Sequence, residues 1–226
     1  MKCSNCGQII SRNLLIQEII FPWLISKEEL CRACCKKFQK IKPENACEGC
    51  MRPNCVKLCQ DCRKWRQMYP NFVVHHHAIY QYNTAFKDWL YRYKFEGDYN
   101  LRQTFSPQVK QVLRKYRGFT IVPLPLSSER QKERGFNQGE EIIKATGSFY
   151  ENLLIRKHHN RPQASAKRQE RLKLKQPYSV APNAIICGRK ILLVDDVYTT
   201  GRTIYHGVEL LYAHGAKSVA TFTLAR

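Results

Sequence analysis

The sequence predicts an α/β fold: a parallel sheet with covering helices, preceded by a small cysteine-rich metal module. Three observations predict it. From about residue 119 onward, short β-rich apolar runs alternate with helical patterns, the order in which parallel strands and their crossover helices occur. The run Ile191-Leu192-Leu193-Val194 is apolar at every position, as a strand covered on both faces requires. Ten of the 11 cysteines lie before residue 63, mostly as C-x-x-C pairs. The spacing divides the chain into a cysteine module over 1–68 and an α/β domain over 72–226.

In the module, Cys3 and Cys6 with Cys31 and Cys34 make one set of four, and Cys47 and Cys50 with Cys59 and Cys62 make a second. A C-x-x-C knuckle brings two thiolates to one ion, and two knuckles complete the four-sulfur tetrahedron that structural zinc prefers. One or two structural zinc ions in a zinc-ribbon arrangement are therefore expected. The knuckles can also interleave, and Cys35 or Cys55 can replace a neighbouring ligand. Gly7 and Gly49 suit tight turns at two knuckles. Cys187, alone beside a predicted strand, reads as a buried apolar residue. His75-His76-His77 reads as a polar strand edge, because adjacent strand side chains point to opposite faces and cannot all converge on a metal.

Val73 to Tyr82 reads as a strand. Phe86, Trp89, Leu90 and Tyr93 then fall at i, i+3, i+4 and i+7, the apolar face of a helix closed by Gly97. Leu101 to Tyr116 continues as one further helix. Thr120-Ile121-Val122 is a short buried strand stopped by Pro123 and Pro125. Asn137 to Thr146 is a helix with Gly147 as its stop, and Leu153-Leu154-Ile155 is a strand. The polar, basic stretch from Arg156 to Gln176 reads as a loop or flap. After Ile191 to Val194 come a helix from Thr203 to His214, then Gly215 and a last strand from Ser218 to Leu224.

Apolar residues at 43% and charged ones at 25% of 226 residues are the composition of a folded chain rather than a disordered one. Between Ile9 and Ile25 the apolar run is broken by Arg12, Asn13, Gln17, Glu18 and Pro22, so no membrane span is expected, and with no export signal the expected location is cytoplasmic. The formal net charge of +20 gives a field that attracts polyanions, nucleic acid foremost. A merely solvated basic surface is the alternative.

The strand 191–194 runs straight into Asp195 and Asp196 and then into Thr199-Thr200-Gly201 before a helix. Ligands of open α/β sheets lie at the carboxyl ends of strands, and a helix start offers free N–H groups to a phosphate. The hydroxyls of Thr199, Thr200 and Thr203 add donors, and Gly201 permits close approach. The acids suit the vicinal hydroxyls of a sugar, or a magnesium ion on a pyrophosphate. Together these residues read as a ribose 5-phosphate grip. Arg130, Lys132 and Arg134 lie on one predicted loop, and Arg161, Lys167, Arg168, Arg171, Lys173 and Lys175 on another. If both border the sheet edge, they make a cationic rim for pyrophosphate or for a nucleic-acid backbone.

The string ILLVDDVYTTGRT, Ile191 to Thr203, resembles the phosphoribosyl pyrophosphate (PRPP) signature of type I phosphoribosyltransferases. With the amino-terminal cysteine pairs, VPLPL followed by Arg130, the run Arg134-Gly135-Phe136-Asn137-Gln138, Gln163 followed by Arg171, and the terminal TLAR, the whole chain resembles the ComF family of competence proteins. The resemblance implies a type I phosphoribosyltransferase-like sheet behind a zinc ribbon. It implies that Asp195 and Asp196 meet the ribose hydroxyls of PRPP, that Thr199 to Thr203 meet its 5-phosphate, and that VPLPL with Ser127 forms a pyrophosphate loop. It carries over Gln163 and Arg171, although Ala166 and Leu174 stand where the family has Leu and Asn. It further implies handling of single-stranded DNA in natural transformation, with the helicase-like ATPase ComFA as partner. An active transferase on a nucleobase or other acceptor, or a PRPP-sensing regulator, are the alternatives; the residues mark no acceptor pocket.

Overall fold

The computed structural model describes residues 2–11, 15–24, 28–72, 74–156 and 176–226. In the cysteine module α1 (Ile16–Ile20) precedes a 3-10 turn, and α2 (Arg32–Lys37) and α3 (Gln60–Met68) each start directly on a cysteine, Cys31 and Cys59 acting as N-cap residues. After β1 (His75–Tyr80), α4 (Thr84–Phe95) is capped by Asn83, whose side chain accepts the Phe86 N–H.

The single helix expected over Leu101 to Tyr116 is broken. A 3-10 turn, Tyr99–Gln103, is followed by α5 (Ser106–Lys115). Pro107 is the cause: proline lacks the N–H that a helix interior needs and is tolerated only in a first turn, so α5 begins there.

Next come β2 (Thr120–Pro123), α6 (Ser128–Arg134) and α7 (Gln138–Lys144). The loop expected to carry Arg130, Lys132 and Arg134 is thus the helix α6. Ser127 caps it by accepting the Arg130 N–H, and Gly135 ends it at φ +76°. Every residue of SERQKER is polar, so no apolar period betrays it in the sequence. β3 (Leu154–Arg156) pairs antiparallel with β4 (Tyr178–Val180), a three-residue strand too short to show alternation. β5 (Lys190–Val197), α8 (Arg202–Ala213) and β6 (Ser218–Ala225) complete the fold.

The main sheet is parallel throughout, in the order β1-β6-β5-β2. Its central strands are the apolar runs, and each face buries alternate residues of them. Leu192 and Val194, with Phe222 and Leu224, face Trp89 and Tyr93 of α4, Val109 and Leu113 of α5, and Ile142 and Ile143 of α7. Ile191, Leu193 and Val219 face Ile204, Val208 and Leu211 of α8 and the second cysteine set. Gly207 lets α8 settle closely on β5, since a Cβ there would stand 2.7 Å from Leu193 Cδ2.

Two local readings are corrected. Among the three histidines, His76 does lie on the edge strand β1, but its side chain is buried between the hydroxyls of Thr221 (2.9 Å from Nδ1) and Thr223 (3.2 Å from Nε2). Burial pushes its pKa down to about 3, so it is a neutral core imidazole. Cys187 is exposed, because the neighbouring Ile186 takes the inward position before β5. The expected first strand residue, Val73, lies outside the described residues.

The Asn137 side chain accepts the N–H groups of Gly139 (3.0 Å) and Glu140 (3.3 Å) and donates to the Leu124 carbonyl (2.9 Å), tying α7 to the end of β2. Asn137→Ala is expected to lower the unfolding free energy by about 2 kcal/mol in urea titrations of the metal-loaded chain. Asn137→Asp, which keeps the acceptor, should recover part of that loss. An Ala variant as stable as the parent contradicts this account.

Candidate functional site at the carboxyl edge of the sheet

β2 stops at Pro123, and its last tie to β5 is the Leu124 N–H on the Val194 carbonyl at 2.9 Å. β5 continues to Val197, so Asp195 and Asp196 stand on an overhang beyond β2. The gap is a cleft of about 230 Å³, lined by these two acids, Thr199, Thr203, Leu124 to Leu126, and the cations Lys94, Arg130, Arg134 and Arg156.

The strand's two-residue period sends the acids to opposite faces. Asp196 is buried and lies 2.7 Å from Lys94 Nζ of α4. Asp195 makes no ion pair among the described residues, and its Oδ1 accepts the Asp196 N–H at 2.9 Å. Burial, and then the charge of Asp196, push the Asp195 pKa up to about 7, which Lys94 and Arg156 offset only in part.

Four cations and two carboxylates line the cleft, so its formal charge is positive even with both acids ionised. Two of its groups lack partners among the described residues. Arg134 donates through Nη1 to Gln138 (3.0 Å) and lies over the Phe95 ring, but its buried Nε has no acceptor. The Tyr178 hydroxyl, on a fully buried side chain, is likewise unpartnered. Native structures seldom leave such groups unsatisfied, and both line a cleft whose charge suits a polyanion.

Of the signature residues, Asp195, Asp196, Thr199 and Thr203 line the cleft, whereas Thr200 and Gly201 shape the loop behind it. Thr200 Oγ1 accepts the Arg202 N–H at 3.4 Å. Gly201 has φ +84°, and a Cβ on it would fall 2.2 Å from the Tyr198 phenol oxygen. Glycine is needed there for its backbone and for the tyrosine packed beneath it, not only for approach of a ligand.

Arg130 and Arg134 stand one helical turn apart on α6 and both reach the cleft. Lys132, two residues from each, is on the far side of the helix and not in the lining. Arg161, Gln163, Lys167, Arg168, Arg171, Lys173 and Lys175 lie outside the described residues. The sequence reading missed Lys94, Arg156 and Tyr178. Lys94 follows the apolar face of α4 at i+4 from Leu90, and a lysine on that border was the available signal. The approach of Tyr178 depends on the β3–β4 pairing and had none.

The cysteines fall into the two consecutive sets, not interleaved ones, and within each set all four sulfurs lie within 4.8 Å of one another. The Cys6–Cys31 and Cys50–Cys59 sulfurs are 3.7 Å apart. A zinc tetrahedron with bonds of about 2.3 Å has an edge of about 3.8 Å, so the donor sets fit that ion. Cys3 accepts the Cys31 N–H at 3.3 Å and Cys47 the Cys59 N–H at 3.2 Å, the support expected for knuckle thiolates. Gly7, at φ +75°, makes its turn as expected, whereas Gly49 is required because a Cβ would stand 2.9 Å from the Cys62 sulfur. Cys35 and Cys55 belong to neither set.

Residues 152–226 match the phosphoribosyl transferase domain family. The chain is 40% identical to competence protein ComFC of Streptococcus pneumoniae, with 100% of both chains covered. It is 34% identical to competence protein ComFC of Bacillus subtilis over 99% of this chain and 94% of that one. It is 26% identical to competence protein F of Haemophilus influenzae over 89% and 92%. Among the described residues, no helix is long and apolar enough to cross a membrane.

Two outcomes follow for the site. The purified chain should hold two zinc ions, and Cys6→Ser and Cys50→Ser should each lower the measured zinc content by one; loss of both ions from either variant would refute independent sets. Because the folded Asp195 pKa lies above its ordinary value of 3.8, the folded chain binds the extra proton, and stability falls as pH rises towards and through about 7. Asp195→Asn should therefore raise the thermal midpoint, with a gain at pH 8 exceeding that at pH 6 by about 1 kcal/mol. A gain that does not grow with pH would mean that Asp195 titrates normally.

Proposed function

The chain belongs to the family of the competence protein ComFC, and from that premise we propose that it binds PRPP or a related ribose phosphate and handles single-stranded DNA in natural transformation. The observation that carries the first half is the cationic cleft beside Asp195 and Asp196, with the buried Arg134 Nε and Tyr178 hydroxyl lacking partners inside it.

In this reading the ribose hydroxyls donate to Asp195 and Asp196, in keeping with acceptors that face a cleft from the end of a strand. The 5-phosphate takes the Thr199 and Thr203 hydroxyls and the start of α8, whose free N–H groups and positive dipole end favour an anion. Arg130, Arg134 and Arg156, with the Leu124–Ser127 loop, receive the pyrophosphate. Magnesium bound with PRPP would neutralise part of the pyrophosphate charge. The elevated Asp195 pKa makes the free site partly protonated near neutrality, so a ligand that needs the carboxylate as acceptor binds more tightly as pH rises.

The DNA half rests on the net charge of +20, on the basic residues between Arg161 and Lys175, and on the competence proteins that match over the full chain. Phosphate contacts of Lys and Arg give affinity without sequence preference. ComFA, the helicase-like ATPase, is the partner in this reading, the 1–68 zinc ribbon or the basic segments are its docking surfaces, and the cytoplasm is its location. The second reading is turnover, favoured by the phosphoribosyl transferase domain match over 152–226.

Calorimetry with PRPP and magnesium tests the ligand. Wild type should bind, the Asp195→Asn/Asp196→Asn double variant should lose binding, and Arg134→Ala should weaken it about tenfold or more. Affinity should fall about tenfold between pH 8 and pH 6. Single-stranded DNA should bind with strong salt dependence, reduced when Arg161, Lys167, Arg168 and Arg171 are replaced by Ala. No PRPP binding by wild type would refute the ligand, and salt-insensitive or absent DNA binding would refute the DNA role. Pyrophosphate release that requires an added base and both acids would decide for turnover.

A further inference from the structure

The second cysteine set lies against the loop that leads into α8. α3 starts on Cys59 and carries Cys62, and Trp65 follows Cys62 by three residues, on the same side of the helix. Its indole Nε1–H donates to the Thr200 carbonyl at 2.8 Å. The Trp65 ring stacks on Tyr205 of α8 with centroids 4.4 Å apart and planes 11° from parallel. The stack runs on through Tyr69, 5.7 Å from Tyr205, to Phe72 and then Tyr212 further along α8. An aromatic column therefore fastens α3 to the helix whose start meets the cleft.

Arg226 makes the second connection. Its side chain is only 8% exposed, its Nε–H donates to Cys50 Sγ at 3.2 Å, and its guanidinium lies 4.8 Å over the Tyr198 ring. Nη1 of the same group donates to the Thr199 carbonyl at 2.8 Å and the Tyr198 carbonyl at 3.4 Å. Asp61 of α3 stands 3.8 Å from Nη2. Four thiolates around one zinc ion leave a net negative site, for which a buried guanidinium is a fitting counter-charge.

These bonds grip three successive carbonyls of the loop, those of Tyr198, Thr199 and Thr200. In a planar trans peptide the carbonyl and the following N–H point in opposite directions. Holding the Thr199 and Thr200 carbonyls on the module side turns the N–H groups of Thr200 and Gly201 the other way. Neither of these N–H groups has a protein acceptor among the described residues. Among the described residues the first cysteine set makes no such contact. Its neighbours reach Glu29 and Thr104 through Ser4, and Arg92 through Asn5.

We propose that Trp65 and Arg226 are positioning residues by which the Cys47-Cys50-Cys59-Cys62 metal site sets the phosphate-receiving loop, so that metal at this site and ribose phosphate in the cleft stabilise each other. The proposal rests on the ligand reading above. Coupling of this kind is reciprocal: if the metal site favours the loop conformation that binds ligand, ligand must favour retention of the metal. The first set lies outside this connection and serves as an internal reference.

The test uses the zinc-loaded full chain and PRPP with magnesium. Zinc transfer to a chromophoric chelator is followed with and without saturating PRPP. One of the two release phases should slow about tenfold with ligand while the other is unchanged, and Cys6→Ser should remove the unchanged one. Trp65→Phe keeps the ring stack and removes the donor to Thr200, and Arg226→Gln removes the charge beside Cys50. Each should retain two zinc ions and a thermal midpoint near that of wild type. Each should nonetheless bind PRPP about tenfold more weakly by calorimetry and lose most of the ligand effect on zinc release. Wild type that binds PRPP without slowing either phase overturns the coupling and leaves the ligand reading intact. Unaltered PRPP affinity in both variants overturns the positioning roles, and wild type that binds no PRPP overturns both readings together.

Discussion

The difference in length between β2 and β5 governs the ligand edge of this protein. β2 ends at Pro123, with a last tie from the Leu124 N–H to the Val194 carbonyl, while its neighbour runs on to Val197. The overhang exposes a strand end inside the fold rather than at its surface. Strand alternation then gives two adjacent aspartates different surroundings: Asp196 turns to α4 and pairs with Lys94, and Asp195 turns to the β3–β4 side with no cation of its own. One acid is paired with a lysine of the scaffold, and burial pushes the pKa of the other up to about 7.

Much of the polar string around residue 135 serves to hold one arginine and one turn. Gln138 is buried, accepts from Arg134, and gives its carbonyl to the Tyr93 hydroxyl, while Asn137 fastens the start of α7 to the end of β2. Phe136 packs against Tyr93 and Tyr99. Arg134 thereby reaches the cleft lining with its guanidinium already held by Gln138.

The two cysteine sets divide between the faces of the sheet. Cys3 and Cys34 share a core with Phe38, Trp89 and Phe105 on the α4–α5 side, and Cys47, Cys50, Cys59 and Cys62 share one with Tyr198, Ile204 and Leu193 on the α8 side. A segment too short to bury much surface of its own packs on the larger core, and closing its four sulfurs on one ion would add to its order. Among the described residues only the second set is continuous with the signature loop, so the two chemically similar sets differ in what they touch.

The sequence alone determined the parallel sheet, the four C-x-x-C knuckles and the string from Ile191 to Thr203, because each is written in local residue order: an unbroken apolar run, a C-x-x-C spacing, acids followed by Thr and Gly. The helix α6 and the strand β4 were hidden, one for want of an apolar face and the other for want of length. Tertiary structure alone decided which knuckles close on one another, that Asp195 and Asp196 part company, and that Lys94, Arg156 and Tyr178 enter the cleft. It also decided that Trp65 and Arg226, 161 positions apart in sequence, grip the same loop. Those facts depend on strand register and on helix packing, which bring distant residues together by filling space, and local order carries no record of them.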